Sequence, residues 1–262
     1  MGRLHLFEFE DQNWFPSFLR NYGTEFLQFL SNRSGMYKPV VPLIVETLKR
    51  SQTETIVDLG SGGGGGLIWL NRELRKETPD LKIIMTDYFP NITAFKYHQK
   101  LADNFEYESN RVDARNVPSR LKGLRTLFLT FHHFKPNEAK QILQNAIDSK
   151  SSIAVFEGQE RSFASLLAMI FSPVTVLLTT PFIRPFKLGR IIFTYLIPIV
   201  PLFVLWDGVV SSLRTYSVKE MNELISDLNV TKDYSWNVGK VKSGPSKILY
   251  LIGVCREKEH KG

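Results

Sequence analysis

The chain has 262 residues, of which 43% are hydrophobic and 23% are charged, and its formal net charge is +7. This length and composition predict a globular protein with a substantial core and exclude the disordered and collagen-like classes. The single cysteine, Cys255, excludes a disulfide framework or a multi-cysteine metal site within one chain. The Lys and Arg residues are scattered, without the basic, aromatic-interleaved pattern of a nucleic-acid surface, so we expect no nucleic-acid partner.

The N-terminal region combines an acidic stretch with a predicted helix. Acids such as Glu8 appear before any long apolar core develops, which is not a secretory pattern, so we expect a cytoplasmic protein. Apolar residues at positions 18, 19, 22, 26, 27, 29 and 30 predict an amphipathic helix. Residues 1–35 then form either a lid over a ligand cleft or a helix packed on the sheet as core.

A glycine-rich loop follows the first predicted strand. Residues 56–59 are apolar apart from Asp58, residues 60–66 are glycine apart from Ser61, and residues 67–75 have helical apolar spacing. Such a strand–loop–helix unit lets backbone N–H groups close on a nucleotide-like ligand. The glycines fit the dinucleotide pattern at Gly60, Gly62 and Gly65, and the G-x-G-x-G pattern of methyltransferases at Gly60, Gly62 and Gly64.

Three further predicted strands end in polar residues. Residues 81–87 predict a strand ending in Asp87, whose carboxylate is placed to accept hydrogen bonds from ribose hydroxyls. Residues 126–134 predict the fourth strand, with His132 and His133 near its end, and residues 152–157 predict the fifth strand, which ends in Glu157. Ligands of open parallel sheets bind at these strand ends, so we expect the site there.

From about residue 36 to the C-terminus, the chain resembles a class I S-adenosylmethionine-dependent methyltransferase. The resemblance rests on V-D-L-G-S-G-G-G-G at 57–65, M-T-D-Y at 85–88, R-V-D-A-R at 111–115, and two β-rich runs at 234–241 and 248–255. It implies an α/β fold with a doubly wound, mostly parallel seven-stranded, Rossmann-like sheet and an antiparallel C-terminal hairpin. It also implies S-adenosyl-L-methionine as the cofactor. A dinucleotide oxidoreductase is the alternative that the hairpin and Asp58 disfavour.

The resemblance implies a set of cofactor-binding positions. Asp113 corresponds to the family's adenine-binding acid, and Tyr37 is expected to reach the methionine end of the cofactor. The predicted cofactor-binding residues are Tyr37, Asp58, Gly60, Ser61, Gly62, Gly64, Asp87, Tyr88, Asp113, Ala114 and Thr130.

For catalysis, methyl transfer to oxygen or nitrogen needs alignment of the acceptor and removal of a proton near neutral pH. His132 and His133 are the first candidates because the pKa of histidine suits base catalysis, and Glu157 is the next. Neighbouring residues of a strand point to opposite faces, so only one of the two histidines is expected in the site. For the same reason we expect no metal site.

Residues 163–206 form an apolar segment after the fifth strand. Residues 163–183 and 191–206 contain no charged residue, while Arg184, Lys187 and Arg190 lie between them. Prolines interrupt both runs, which disfavours a two-span anchor. Three interpretations remain: a helical cap lining a pocket for a hydrophobic acceptor, a membrane-docking hairpin, and extra core or an oligomer interface.

The sequence thus predicts one domain over residues 1–262. Its parts are an N-terminal helical lid (1–35), a cofactor-binding half (36–160), an apolar helical insertion (161–212), and a C-terminal helix and β-hairpin (213–262). The predicted activity is methyl transfer to a small, hydrophobic or lipid-like acceptor, with peripheral membrane contact through 163–206. The alternative is a non-catalytic protein of this fold that serves as a membrane- or partner-binding module.

Overall fold

The computed structural model describes residues 2–230, 233–244 and 246–255. The last residues of the predicted C-terminal part, 256–262, lie outside the described residues.

The described residues form a seven-stranded sheet in the order β3-β2-β1-β4-β5-β7-β6. The first five strands run parallel to one another, and β7 pairs antiparallel with both β5 and β6. The predicted fold class is therefore confirmed. The strands are β1 Thr55–Leu59, β2 Lys82–Thr86, β3 Phe105–Tyr107, β4 Leu124–Phe128, β5 Ile153–Glu157, β6 Tyr234–Ser243 and β7 Ser246–Cys255.

Helices cover both faces of this sheet. Successive strand residues alternate between two cores: Ile56 and Phe156 belong to the core under one set of helices, and Val57 and Val155 belong to the other. The helices are α1 Ser17–Ser34, α2 Val41–Arg50, α3 Leu67–Leu74, α4 Ile92–Leu101, α5 Pro136–Asp148, α6 Phe163–Ile170, α7 Ser172–Thr179, α8 Leu188–Ile191, α9 Ile199–Arg214 and α10 Val218–Ser226. Helices α2, α3 and α4 contribute to the first core, and α5 and α10 to the second.

A third core joins the N-terminal helix to the apolar insertion. Leu19 and Phe26 of α1 pack in one buried cluster with Val176 of α7 and Phe203 of α9. The predicted helix at 18–30 is present and continues to Ser34. The two additions to the sheet therefore form one layer, held together by apolar contacts of their own.

The fourth strand is shorter than predicted. It ends at Phe128, and Leu129 takes a left-handed backbone conformation with φ of 51°. The chain then forms a 3-10 helix over Phe131–His133. The alternation argument for the two histidines is therefore wrong, because they do not lie on a strand. Their rings stack on each other, with centroids 4.3 Å apart.

The described residues contain no single helix that is long and apolar enough to cross a bilayer. Two pairs of helices, each joined by a bend, together have the length and apolar composition of a membrane span. They are Phe163–Ile170 with Ser172–Phe182, bent by 43°, and Leu188–Leu196 with Ile199–Arg214, bent by 79°.

Candidate cofactor pocket and active site

A cavity of about 410 Å³ lies at the carboxyl ends of β1, β2 and β4. This volume falls in the range of small-molecule and cofactor sites. The glycine loop and the strand ends form one side, and α1 with the segment before it forms the other. Of the predicted site residues, those that line the cavity are Tyr37, Gly60, Ser61, Gly62, Asp87, Tyr88, Asp113, Ala114, Thr130 and His133.

The glycine loop is held tightly between α1 and α4. A Cβ on Gly63 would lie 2.6 Å from the backbone oxygen of Thr24 on α1. Gly64 has φ of +93°, and a Cβ there would lie 2.2 Å from the imidazole of His98 on α4. Gly64 therefore packs against α4 and is not among the residues that line the cavity, so its predicted contact with the cofactor stays a prediction.

Asp87 connects the second strand to the glycine loop. Its Oδ2 accepts a hydrogen bond from the backbone N–H of Gly62 at 2.7 Å, and its Oδ1 accepts one from that of Phe89 at 2.7 Å. Burial raises the pKa of Asp87, although these two N–H groups oppose the shift. Each oxygen keeps a further lone pair that can accept a hydroxyl proton.

Asp58 lies beneath the loop and is not among the residues that line the cavity, so its predicted contact with the cofactor stays a prediction. Its carboxylate accepts hydrogen bonds at 2.7 Å from the hydroxyls of Ser61 and Thr126. Burial raises the pKa of Asp58 to about 7, and these two hydroxyls oppose the rise. Asp58 thus sets the position of Ser61, which does line the cavity.

Asp113 and Tyr37 stand on other walls of the cavity. Arg115 pairs with Asp113 at 2.7 Å, and hydrogen bonding by Arg115 lowers the pKa of that carboxyl. Tyr37 is almost fully buried, with its ring 4.8 Å from that of Phe128.

The N-terminal residues of the cavity were missed by sequence reasoning. Asp11, Arg20, Thr24 and Glu10 all line it, so α1 and the preceding 3-10 helix Phe9–Asp11 supply much of one wall. Arg20 donates to the backbone oxygens of Glu10 and Gln12 at 2.8 and 2.6 Å, and its guanidinium stacks on Phe89. The acidic stretch at 8–11 was the available signal, because acids beside a predicted lid are candidates for the site.

His132 and Glu157 form a buried pair behind the cavity. The Nδ1 of His132 lies 2.8 Å from Glu157 Oε2, and the two side chains are 2% and 0% exposed. Neither residue lines the cavity. Their predicted catalytic role stays a prediction, and in this structure the pair holds the turn that carries His133, because the backbone N–H of His132 also donates to Glu157 Oε1 at 3.1 Å.

His133 lines the cavity, but nearby carboxylates favour its protonated form, which cannot act as a base. Its Nδ1 lies 2.8 Å from Asp11 Oδ1 and 3.4 Å from Glu8 Oε2. Burial acts to lower the pKa of His133, but the two carboxylates outweigh it and raise the pKa to about 10. At neutral pH the ring is an imidazolium, which donates hydrogen bonds and cannot accept a proton.

Glu10 is the carboxyl group of the cavity wall that could act as a base. Burial, and then the nearby carboxylate of Asp207, raise the pKa of Glu10 well above its ordinary value. Asp207 itself accepts hydrogen bonds from the backbone N–H groups of Phe9 and Glu10 at 2.8 and 3.1 Å. No donor among the described residues reaches the Glu10 carboxylate, so it is available to a ligand in the cavity.

One group among the described residues has the spacing of a metal site. The ligand atoms of Glu8, His132 and His133 all lie within 4.8 Å of one another, contrary to the expectation that the histidines diverge. The guanidinium of Arg214 already neutralises acidic charge at this cluster, because its Nη1 lies 3.1 Å from Glu8 Oε1 and 2.6 Å from Asp11 Oδ2. The charges of Arg214 and of protonated His133 leave little need for a metal ion.

The sheet order, with an antiparallel strand β7 between β5 and β6, is that of the class I methyltransferase fold, whereas the dinucleotide-binding fold has the order 3-2-1-4-5-6. The sequence matches no protein-family model and no curated protein. Similar solved structures do exist.

The plantazolicin methyltransferase BpumL, solved with SAH, has a TM-score of 0.55 and 12% identity, with 92% of this chain and 96% of that one covered. Human N-acetylserotonin methyltransferase, solved with SAM, has a TM-score of 0.51 and 16% identity, with 90% of this chain covered. The chain spans only 57% of that enzyme. A Rhodobacter sphaeroides protein whose structure is named for Zn-dependent alcohol dehydrogenases has a TM-score of 0.51 and 11% identity, with 90% of this chain and 99% of that one covered. The likeness to all three lies in the fold.

Proposed function

We propose that the protein is an S-adenosylmethionine-dependent methyltransferase that acts on a small, hydrophobic acceptor. The observation that carries this proposal is the cavity itself, in which the glycine loop, Asp87 and Asp113 meet at the strand ends of a class I methyltransferase fold. Structural neighbours of the same fold hold SAM or SAH, which supports the choice of cofactor.

The cavity residues fit a nucleoside cofactor. Gly60, Gly62, Gly63 and Gly65 line the cavity and present backbone without side chains to a ligand. Asp87 would hold the ribose hydroxyls, and Asp113 with Ala114 would stand beside the base. When bound, the cofactor supplies an activated methyl group on a sulfonium.

The chain's own residues then handle the acceptor and its proton. Glu10 would accept the proton of an acceptor hydroxyl or amine, because it lines the cavity, no described donor reaches its carboxylate, and the raised pKa makes the ionised carboxylate more basic than an ordinary one. His133 would donate through Nε2, which has no partner among the described residues, and so orient the acceptor atom. This assignment replaces the sequence prediction of a histidine base.

A hydrophobic acceptor is supported by the apolar residues of the cavity wall. Leu27 of α1 faces the cavity together with Phe128, Leu129 and Phe134, which follow one another along the fourth strand and the turn after it. No residue of 161–212 lines the cavity, which favours the other two interpretations of the insertion over a cap on the acceptor pocket. We propose that α1 acts as the lid within a single domain, with the insertion supporting it from behind.

The test has two stages. Calorimetry should first show binding of S-adenosylmethionine and its demethylated product; absence of binding by a folded protein would refute the proposal. Methyl-labelled cofactor is then incubated with fractions of hydrophobic small molecules to find the acceptor.

With the acceptor known, Glu10→Gln should lower the single-turnover rate by about 10²–10⁴-fold without changing cofactor affinity. Glu46→Gln on α2, an exposed carboxylate, is the matched control. In the parent enzyme the rate should rise with pH as Glu10 loses its proton, and Glu10→Gln should flatten that profile. A parent-like rate in Glu10→Gln would remove Glu10 from the mechanism.

A further inference from the structure

The apolar insertion exposes an unusual amount of hydrophobic surface. Phe163 is 81% exposed, Leu178 is 68% exposed and Leu196 is 77% exposed. We call the exposed apolar side chains of this region the insertion face; they are Phe163, Leu167, Ile170, Phe171, Val174, Leu177, Leu178, Phe182, Phe186, Leu188, Tyr195, Leu196, Ile197, Leu202 and Trp206. Monomeric soluble proteins rarely expose contiguous apolar patches of this kind without a binding role.

The helices beneath this face are apolar on both sides. In α7, Val176 is fully buried against α1 and α9 while Val174 and Leu178 face outward. In α6, which contains only apolar residues and one serine, no residue is buried. A soluble surface helix would carry polar residues on its outer side, so this face is matched to an apolar environment.

The parts of the insertion face lie next to one another. The hydroxyl of Tyr195 donates to the backbone oxygen of Leu177 at 2.5 Å, which brings the segment 192–196 against α7. Met169 of α6 packs against Gly208 of α9. The exposed residues therefore belong to one layer, supported from within by the third core.

The charge of the insertion indicates which partner the insertion face binds. Residues 161–206 contain no Asp or Glu, and the exposed Arg184 stands between Phe182 and Phe186. Lys187 and the buried Arg190 pair with Glu25 of α1, so Arg184 is the cation that this face presents. In a twofold dimer the same patch meets itself, so a face with this cation and no acid repels its own copy. An anionic lipid surface attracts Arg184, and exposed Phe, Leu and Trp side chains enter its interfacial region.

We propose that the insertion face docks peripherally on an anionic membrane surface. The bends of 43° and 79° in the two helix pairs and the buried charges of Arg190, Asp207 and Arg214 fit a shallow, in-plane position better than a span. The proposal concerns membrane binding alone, and it does not depend on methyl transfer.

Flotation of the purified protein with vesicles tests this proposal. Vesicles of phosphatidylcholine alone and of equal parts phosphatidylcholine and phosphatidylglycerol are compared, and binding is expected to be stronger to the anionic ones. Leu178→Ser and Leu196→Ser should each lower the partition coefficient about tenfold. Leu101→Ser, a 48%-exposed leucine at the end of α4, is the matched control and should float like the parent.

Arg184→Glu gives a second measurement that leaves the apolar face intact, and it should weaken binding to the anionic vesicles only. The proposal is overturned if the folded parent stays at the bottom of the gradient, or if Leu178→Ser and Leu196→Ser float like the parent. A concentration-dependent dimer that those two variants dissociate, without flotation, would assign the face to a second copy of the chain and equally overturn the proposal.

Discussion

Replacing Gly64 by alanine measures how far the glycine loop depends on its packing against α4. Gly64 and Gly65 both have positive φ, +93° and +43°, so an alanine at either position adopts a left-handed conformation that costs about 1–2 kcal/mol. Only at Gly64 does the new Cβ meet another group, at 2.2 Å from the His98 ring; at Gly65 nothing lies within 4 Å.

The imidazole of His98 has little freedom to move away. It is fully buried, and its Nδ1 is held 2.9 Å from the backbone oxygen of Ala94. Overpacking of this kind costs about 1–3 kcal/mol more. We therefore expect Gly64→Ala to lower the free energy of unfolding by about 2–5 kcal/mol and Gly65→Ala by about 1–2 kcal/mol, a difference of several degrees in Tm.

Thermal and urea unfolding of the two variants, with cofactor binding measured in parallel, provide the assay. The double variant Gly64→Ala with His98→Ala should be less destabilised than the sum of the single changes, because the removed ring no longer meets the new methyl group. Equal destabilisation by Gly64→Ala and Gly65→Ala would show that the contact with His98 does not constrain the loop, and the packing argument would fail.

The remaining predictions concern cofactor affinity, the pH dependence of stability and the effect of removing metal ions. Asp87→Asn should weaken binding of S-adenosylmethionine about 10–100-fold in calorimetry, since a charge-assisted hydrogen bond contributes about 1.5–3 kcal/mol; Asp103→Asn, an exposed carboxylate, is its control, and equal affinities would contradict the assignment. The raised pKa of His133 stabilises the fold fully below its ordinary value of 6.5, and this stability is lost as the pH rises towards about 10. In urea titrations across that range, His133→Gln should show a smaller decline in stability than the parent, and an unchanged decline would count against the ion pair with Asp11. Treatment with EDTA should leave turnover unchanged, whereas a loss that added divalent metal restores would assign an ion to Glu8, His132 and His133.

The local parts of the fold were predictable because their signals are local. Apolar runs and the glycine loop defined β1 and β2 within one or two residues, and the two β-rich runs indicated the hairpin of β6 and β7. The fourth strand was extended too far because residues 126–134 keep high β-propensity beyond Phe128. The strand ends because Leu129 takes a left-handed backbone conformation. Leucine rarely adopts this conformation, so its presence in the sequence does not predict the end of a strand.

The candidate site was only half predictable for a related reason. Motif positions such as Asp87 could be placed in the cavity because they follow strand ends. Glu10 and Arg20 could not, because they reach the cavity through tertiary packing of α1 onto the sheet, more than 35 residues before the glycine loop. The pKa of His133 depends on Glu8 and Asp11, which lie more than 120 residues away in the chain, so residue type alone could not predict that it is raised.

The contacts between the N-terminal segment and the insertion restrict how segments of this protein can be exchanged. Glu25 of α1 is the counter-ion of Lys187 and of the buried Arg190, and the indole Nε1 of Trp206 donates to the backbone oxygen of Phe7 at 2.9 Å. A chimera that receives a foreign insertion but keeps its own residues 1–35 would bury Glu25 without a cation. Exchanges of the insertion between proteins of this architecture should therefore transfer the N-terminal segment with it, so that each buried ionic group keeps its partner although the two segments are far apart in sequence.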